Sequence, residues 1–505
     1  MVDSVHFKID PEAKAPAYIQ IRDHFRQRIG QGDLPNGRRL PAERELASRL
    51  GVSRTTVVRA YDELKAGGWV RGHVGRGTIV AFEHAGLDVQ PVAWPACFSG
   101  MARRIARHAE TAERLSTQLR GRPLDVSFAQ GLPDPNLLPS EWLTEAWGRI
   151  VDRLGTAAVG SCPVRGTPAV RELVSQRSRQ RQLDVDPESI TMVNGSQHGL
   201  DLLLRVLVEP GDTVLVEVPT YYVALQSFLS RGLRILGVPV DEHGMDVERV
   251  ELLLSRYRPR LIYTVPTYQN PTGATMSLER RERLLALAQQ YQVPIVEDDP
   301  FGDLHYDTPP PPPIKALDKH GHVLYLSTFS KSVAPGLRVG WLIAPDPVAD
   351  RAAQLNGMAE LHPNTMGQHI VAEFAERGRL NKLVSRARTT YRARSQAMDR
   401  ALRDARLPDV RWTLPDGGLF VWLELPKSID ASHLLERTLD RGVAFLPGGL
   451  MFPTGTPRNV CRLNVSVPDE AAIERGIGVL ATCVKQLHRR PLDPRKVQEV
   501  VGPIV

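Results

Sequence analysis

The sequence predicts two folds in tandem. A small α+β unit stands at the N-terminus, and a large α/β unit with a mainly parallel sheet and a smaller α/β lobe follows it. Three observations carry this expectation. The chain has 505 residues, too many for one ordinary domain. Residues 12–81 show helical periodicity and then two short β-rich runs around glycines. Across residues 124–488, apolar β-rich runs alternate with helical stretches, the pattern of a sheet covered on both faces. Residues 82–123 read as a linker and 489–505 as a C-terminal tail.

Composition narrows the classes. A hydrophobic content of 42% supports a large core, and no apolar run reaches the length of a membrane helix. The first residues lack the apolar segment of a secretory signal. Cys97, Cys162, Cys461 and Cys483 are scattered without CxxC spacing, which argues against a disulfide framework or a metal site and fits a reducing cytoplasm. The net charge of +7 is uneven: residues 1–80 hold 14 Lys and Arg against 9 Asp and Glu. A basic excess in a small N-terminal unit suits a face turned to nucleic acid, although a solvated basic face gives the same count.

In the N-terminal unit, apolar residues at 18, 21, 25 and 29 predict a helix over Tyr18–Gln31, broken by Gly32, Pro35 and Gly37. A second helix opens at Leu40-Pro41, where the missing proline N–H does no harm. Ala47, Gly51 and Val57 have the spacing of a helix-turn-helix, with Gly51 free to take a left-handed turn. Ser53 caps a third helix, Arg54 to Ala66. Its first turn presents Arg54, Thr55 and Thr56, residue types suited to guanine edges, phosphates and thymine methyls in a major groove. Residues 67–80 read as two strands around a glycine turn, a wing carrying Arg71, His73 and Arg76. The stretch LPAERELASRLGVSRTTVVRAYDEL and the GxGT of the wing resemble the winged helices of GntR-type bacterial repressors. That resemblance implies contacts with double-stranded DNA from Arg44, Arg54, Thr55, Thr56 and the wing near Gly75. In the linker, the arginine-rich stretch Ala102–Leu119 suggests a short helix.

In the large unit, strands are predicted at Ile190–Val193, Thr213–Val216, Arg234–Val238, Leu261–Val265, Ile295–Glu297, Val323–Leu326 and Gly340–Ile343. The segment Ser327-Thr-Phe-Ser-Lys331-Ser-Val-Ala-Pro-Gly-Leu-Arg338 sets one lysine among hydroxyl side chains, with an arginine seven positions on. A lysine forms Schiff bases with aldehydes, and hydroxyls with an arginine hold a phosphate. An aldehyde that carries a phosphate describes pyridoxal 5′-phosphate. Other strand ends carry matching groups. Asn194-Gly-Ser196-Gln197 opens a helix where a phosphate would meet N–H groups, and an ordinary helix cap would use the same residues. Tyr221 can cover a ring or half-bury in the core, and Asn270 sits in an NPTG turn. Asp298, past the strand at 295, can keep a pyridine nitrogen protonated. Arg462 has the planar fork that grips a carboxylate.

In this order, these residues resemble the fold-type I, class I/II aminotransferases over about 360 residues. The resemblance implies that Lys331 bears the Schiff base, Asp298 pairs with the pyridinium, Asn270 bonds O3′ and Tyr221 stacks on the ring. It places Ser196, Gln197, Thr328, Ser330 and Arg338 around the phosphate, and Arg462 on the substrate α-carboxylate. Two positions depart from the family: Phe301 stands where a tyrosine usually donates to O3′, and Ser161 stands near the place of a tyrosine offered to the neighbouring subunit. The whole chain resembles the MocR subgroup of GntR regulators, which implies a cytoplasmic homodimer. Its implied function is transcription regulation, with an amino-acid-like or amine effector, or the cofactor itself, sensed through Lys331. The alternative is a working transaminase carrying a DNA-binding head.

Overall fold

The computed structural model describes residues 7–11, 13, 15–73, 77–82, 94–105, 117, 122–453 and 456–489. The chain divides into two compact units, Met1–Cys97 and Phe98–Val505.

The first unit holds helices Ala17–Gly30, Glu43–Leu50 and Arg54–Ala66, then strands Val70–His73 and Gly77–Val80, which pair antiparallel. Ile21, Phe25, Leu46, Val57, Tyr61 and Leu64 form its core. The helix-turn-helix turn follows from two residues. Gly51 ends the second helix at φ 65°, a left-handed conformation that glycine adopts without a Cβ clash. Ser53 then caps the third helix, its Oγ accepting from the Thr56 N–H at 3.1 Å. Pro41 lies before the second helix rather than in its first turn, and its carbonyl accepts from the buried Tyr61 hydroxyl at 2.9 Å.

The second unit is built on an eight-stranded sheet. All seven predicted strands belong to it, joined by Gly244–Met245 at one edge. Strands 213–218, 234–241, 261–264, 295–298 and 323–328 run parallel. Gly340–Ile343 is antiparallel to both its neighbours. Alternation along the strands feeds two cores. Val214, Val216, Tyr263 and Leu326 pack with Leu200, Leu203 and Phe228, while Leu215, Ile262 and Ile295 pack with Val250, Leu284 and Leu287 on the other face. The smaller lobe contains the helices Arg379–Asp404, Ala431–Leu439 and Glu470–Arg489, and a four-stranded sheet. One of its strands comes from far upstream: Val126–Ser127 pairs parallel with Val443–Ala444. The run of five prolines at 309–313 leads from the surface into the core. Pro313 is buried, Pro312 O accepts from the fully buried Arg281 at 3.1 Å, and Glu297 accepts from Ile314 N and Lys315 N. Among the described residues no helix is long and apolar enough to cross a membrane. Of the arginine-rich linker stretch Ala102–Leu119, residues 102–105 are helical; most of the remainder lies outside the described residues.

Candidate cofactor site and nucleic-acid face

Strand ends, a helix start and the smaller lobe converge on one cavity of about 540 Å³ in the second unit. Ser196, Tyr221, Asn270, Asp298, Phe301, Lys331 and Arg462 all line it. Lys331 follows the strand Val323–Thr328, and its Nζ donates to Gly131 O at 2.6 Å. Burial, reinforced by Arg462, lowers the amine pKa to about 8, against the pull of Asp298. Asp298 ends its strand with one oxygen engaged and one free. Oδ2 accepts from the Tyr263 hydroxyl at 2.9 Å, and the buried Oδ1 has no hydrogen-bond partner. Burial raises this carboxyl to about 6.

Arg462 is a buried cation whose hydrogen-bond and ring partners are neutral. NH1 donates to Asn270 Oδ1 at 3.0 Å, NH2 to Ala129 O at 2.9 Å, and the guanidinium lies 4.0 Å from the Phe420 ring centre. Its Nε has no partner, and no carboxylate among the described residues pairs with it. Burial pulls its pKa down to about 10. Because Asn270 Oδ1 is taken, its amide N–H group is the part left to donate. Phe301 meets Phe420 edge to face at 5.6 Å, and Tyr221 meets Tyr222 similarly at 5.8 Å.

The helix Ser196–Leu207 begins at this cavity, which Ser196 lines, and its N-cap residue Gly195 has no side chain to make a capping bond. Gly195 precedes it at φ 91°, and a Cβ there would lie 2.7 Å from the Arg338 guanidinium. Arg338 therefore covers the helix start, donating to Asn194 O at 2.7 Å. Gln197 does not line the cavity; its Nε2 donates to Ser227 Oγ at 2.9 Å. Thr328 and Ser330 immediately precede Lys331 and bond each other at 2.9 Å.

These groups fit pyridoxal 5′-phosphate. The cavity offers an amine of lowered basicity, a partnerless carboxylate oxygen and a helix start beneath an arginine, which match an aldehyde, a pyridinium N–H and a phosphate. Sequence reading missed several lining residues. Ala129–Leu132, Phe420, Leu446 and Leu450 come from segments distant in sequence, and behind the lining Tyr263 orients Asp298. The strand alternation that buries Tyr263 was a readable signal, whereas the loop at 129–132 offered none.

In the first unit, Arg44, Arg54, Thr55, Arg71 and His73 are exposed and Thr56 is half-buried. Arg54 is held by Glu43 at 3.2 Å, Thr55 and Thr56 hydroxyls bond Ser53 Oγ, and Arg59 stacks on Tyr18 at 3.9 Å. Gly75 and Arg76 lie outside the described residues.

A helix-turn-helix with a wing and a cofactor site of aminotransferase type together define a class of DNA-binding regulators. Residues 17–80 match the family described as bacterial regulatory proteins, gntR family, and residues 141–480 match aminotransferase class I and II. Over 498 residues the chain is 30% identical to the probable rhizopine catabolism regulatory protein MocR of Rhizobium meliloti, covering 96% of this chain and 98% of that one. It is 31% identical over 483 residues to the uncharacterized HTH-type transcriptional regulator YdfD of Bacillus subtilis, covering 94% and 98%. The structure of LysN, an α-aminoadipate aminotransferase of Thermus thermophilus complexed with N-(5′-phosphopyridoxyl)-L-leucine, aligns with a TM-score of 0.73 at 36% identity, covering 79% of this chain and all of that one. The chain belongs to the MocR-type GntR regulators, with a fold-type I aminotransferase domain behind the DNA-binding domain.

Proposed function

We propose that this protein regulates transcription as a homodimer and senses an amino compound, or pyridoxal phosphate itself, through a Schiff base at Lys331. The observation that carries this reading is the triad around the cavity: an amine with a pKa of about 8, a partnerless Asp298 oxygen and an Arg462 without a carboxylate. Pyridoxal phosphate, when bound, supplies an aldehyde for amines and an electron-withdrawing ring.

The protein's residues divide the remaining work. Lys331 is aimed by Gly131 O, and its lowered pKa gives more neutral amine near physiological pH than a solvated lysine has. Asp298 Oδ1 accepts the ring N–H while Tyr263 fixes the other oxygen. Asn270 donates to O3′, and Phe301 leaves that oxygen without a second donor. Tyr221 covers the ring. Ser196, Thr328, Ser330 and Arg338 surround the phosphate, the Gln197 side chain being turned to Ser227 instead, and Arg462 takes the ligand carboxylate in a bidentate grip. On the DNA side, Arg54, Thr55 and Thr56 reach base edges, while Arg44, Arg71, His73 and the wing residues Gly75 and Arg76 hold the backbone.

A packed route toward the linker supports sensing. The helix Tyr222–Ser230 begins beside Tyr221 and Tyr222 in the cavity and is bonded to Gln197 through Ser227. At its far end, Ser230 O accepts from the linker residue Arg104 at 2.8 Å, and Gly232 gives the guanidinium room. A ligand that shifts this helix moves Arg104, provided it binds the two arrangements with different affinity. Exposed Val159, Val164, Met358 and Leu361 give the second unit an apolar surface suited to a second copy.

The test is reduction of the loaded protein with borohydride and peptide mapping. The reading requires a pyridoxyl adduct on Lys331; an adduct confined to other lysines contradicts it. Multiple turnovers with an added keto acid would put transamination ahead of sensing.

A further inference from the structure

The cavity extends beyond the groups assigned to the cofactor and to a carboxylate. We propose that it takes an α-amino acid with an uncharged, apolar side chain, seated against Leu132, Leu446 and Leu450. This assignment rests on the amine-sensing reading above.

Arg462 anchors the geometry. Its strand, Val460–Asn464, pairs with Leu446–Pro447 so that Leu446 lies opposite Arg462. On the other side, NH2 is bonded to Ala129 O, and Gly131 approaches so closely that a Cβ there would sit 3.6 Å from the guanidinium. Leu132 follows Gly131 and Leu450 follows the turn after Leu446; both line the same cavity. A ligand carboxylate on Arg462 therefore leaves its side chain facing three leucines.

The charges around the cavity point the same way. Among the described residues that line it, the charged side chains are Asp298, Lys331 and Arg462. The first two belong to the cofactor and the third to the α-carboxylate. A carboxylate or ammonium on the ligand's side chain would lose its hydration and meet no opposite charge. A methylene chain gains instead, by about fourfold in affinity for each CH₂ buried.

The experiment uses the full-length protein loaded with pyridoxal phosphate. L-Alanine, L-norvaline, L-norleucine, L-glutamate and L-lysine are titrated in while cofactor absorbance and melting temperature are followed. Affinity should rise about threefold to fourfold per methylene along the aliphatic series, and glutamate and lysine should bind at least about tenfold more weakly than norleucine. A flat aliphatic series, or glutamate or lysine binding as tightly as norleucine, overturns the assignment and leaves the Schiff-base reading standing. No response to any of the five overturns the assignment as well, while the Schiff-base reading falls only if borohydride leaves no adduct on Lys331. Leu132 is 40% exposed, so a polar replacement there keeps access to water. Leu132→Arg should narrow the gap between glutamate and norleucine by about tenfold, the value of one added charge-assisted pair; an unchanged ratio counts against the three-leucine subsite.

Discussion

Lys331 shows how much one side chain depends on its surroundings. Burial first, and Arg462 second, lower its pKa to about 8, so the neutral amine becomes abundant well below the pH that a solvated lysine needs. Loading of the cofactor-free protein should speed up as pH rises through about 8 and then level off. A rate still climbing through pH 10 would contradict the burial argument. Asp298 supplies a second prediction. Its free Oδ1 is worth a charge-assisted hydrogen bond, so Asp298→Asn should weaken cofactor binding by roughly 10- to 100-fold. Equilibrium dialysis checks this, and unchanged affinity would remove Asp298 from the pyridinium. Both residues were legible in the sequence because their motifs are local: a lysine within a hydroxyl-rich run and a carboxylate at a strand end. The burial of Tyr263 was readable too, but its link to Asp298 was not, because that link crosses two adjacent strands and joins residues 35 positions apart in sequence.

At the scale of elements, the third helix of the first unit and the helix Tyr222–Ser230 do the work. The former was fully predicted, from Ser53 at its cap to Ala66 at its end, since caps and left-handed glycines are written locally. Arg54 stands in its first turn, steadied by Glu43. Arg54→Ala should cost about 1–3 kcal/mol of operator affinity and relax preference at one base position. A competition assay over single-base operator variants checks this, and a uniform loss across all variants would make Arg54 a phosphate contact instead. The helix Tyr222–Ser230 was not seen as a connector, because its tie to Arg104 joins residues 126 apart in sequence. If it transmits the signal, Arg104→Ala keeps cofactor absorbance and basal operator binding and loses most of the ligand's effect on operator affinity. An unaltered ligand effect would exclude this contact as the route.

At the scale of the whole chain, the division of labour was readable and the assembly of the cavity was not. Charge surplus, helical spacing and continuous apolar strands separated a DNA-facing unit from a sheet-based one. The strand Val126–Ser127 and the loop at 129–132 pack with the smaller lobe some 300 residues later, so no local pattern announces that Gly131 meets Lys331 or that Ala129 meets Arg462. The Schiff-base set and the DNA-reading helix gain a common purpose only if a ligand at one changes binding at the other. The most direct test measures operator affinity of the full-length, cofactor-loaded protein with and without saturating norleucine, in wild type and in Lys331→Ala. The account predicts a change of about 5- to 150-fold in the wild type, the usual range of allosteric coupling, and none in the variant, which still binds the operator. The same ligand-dependent change in both proteins, or no change in the wild type, would contradict it.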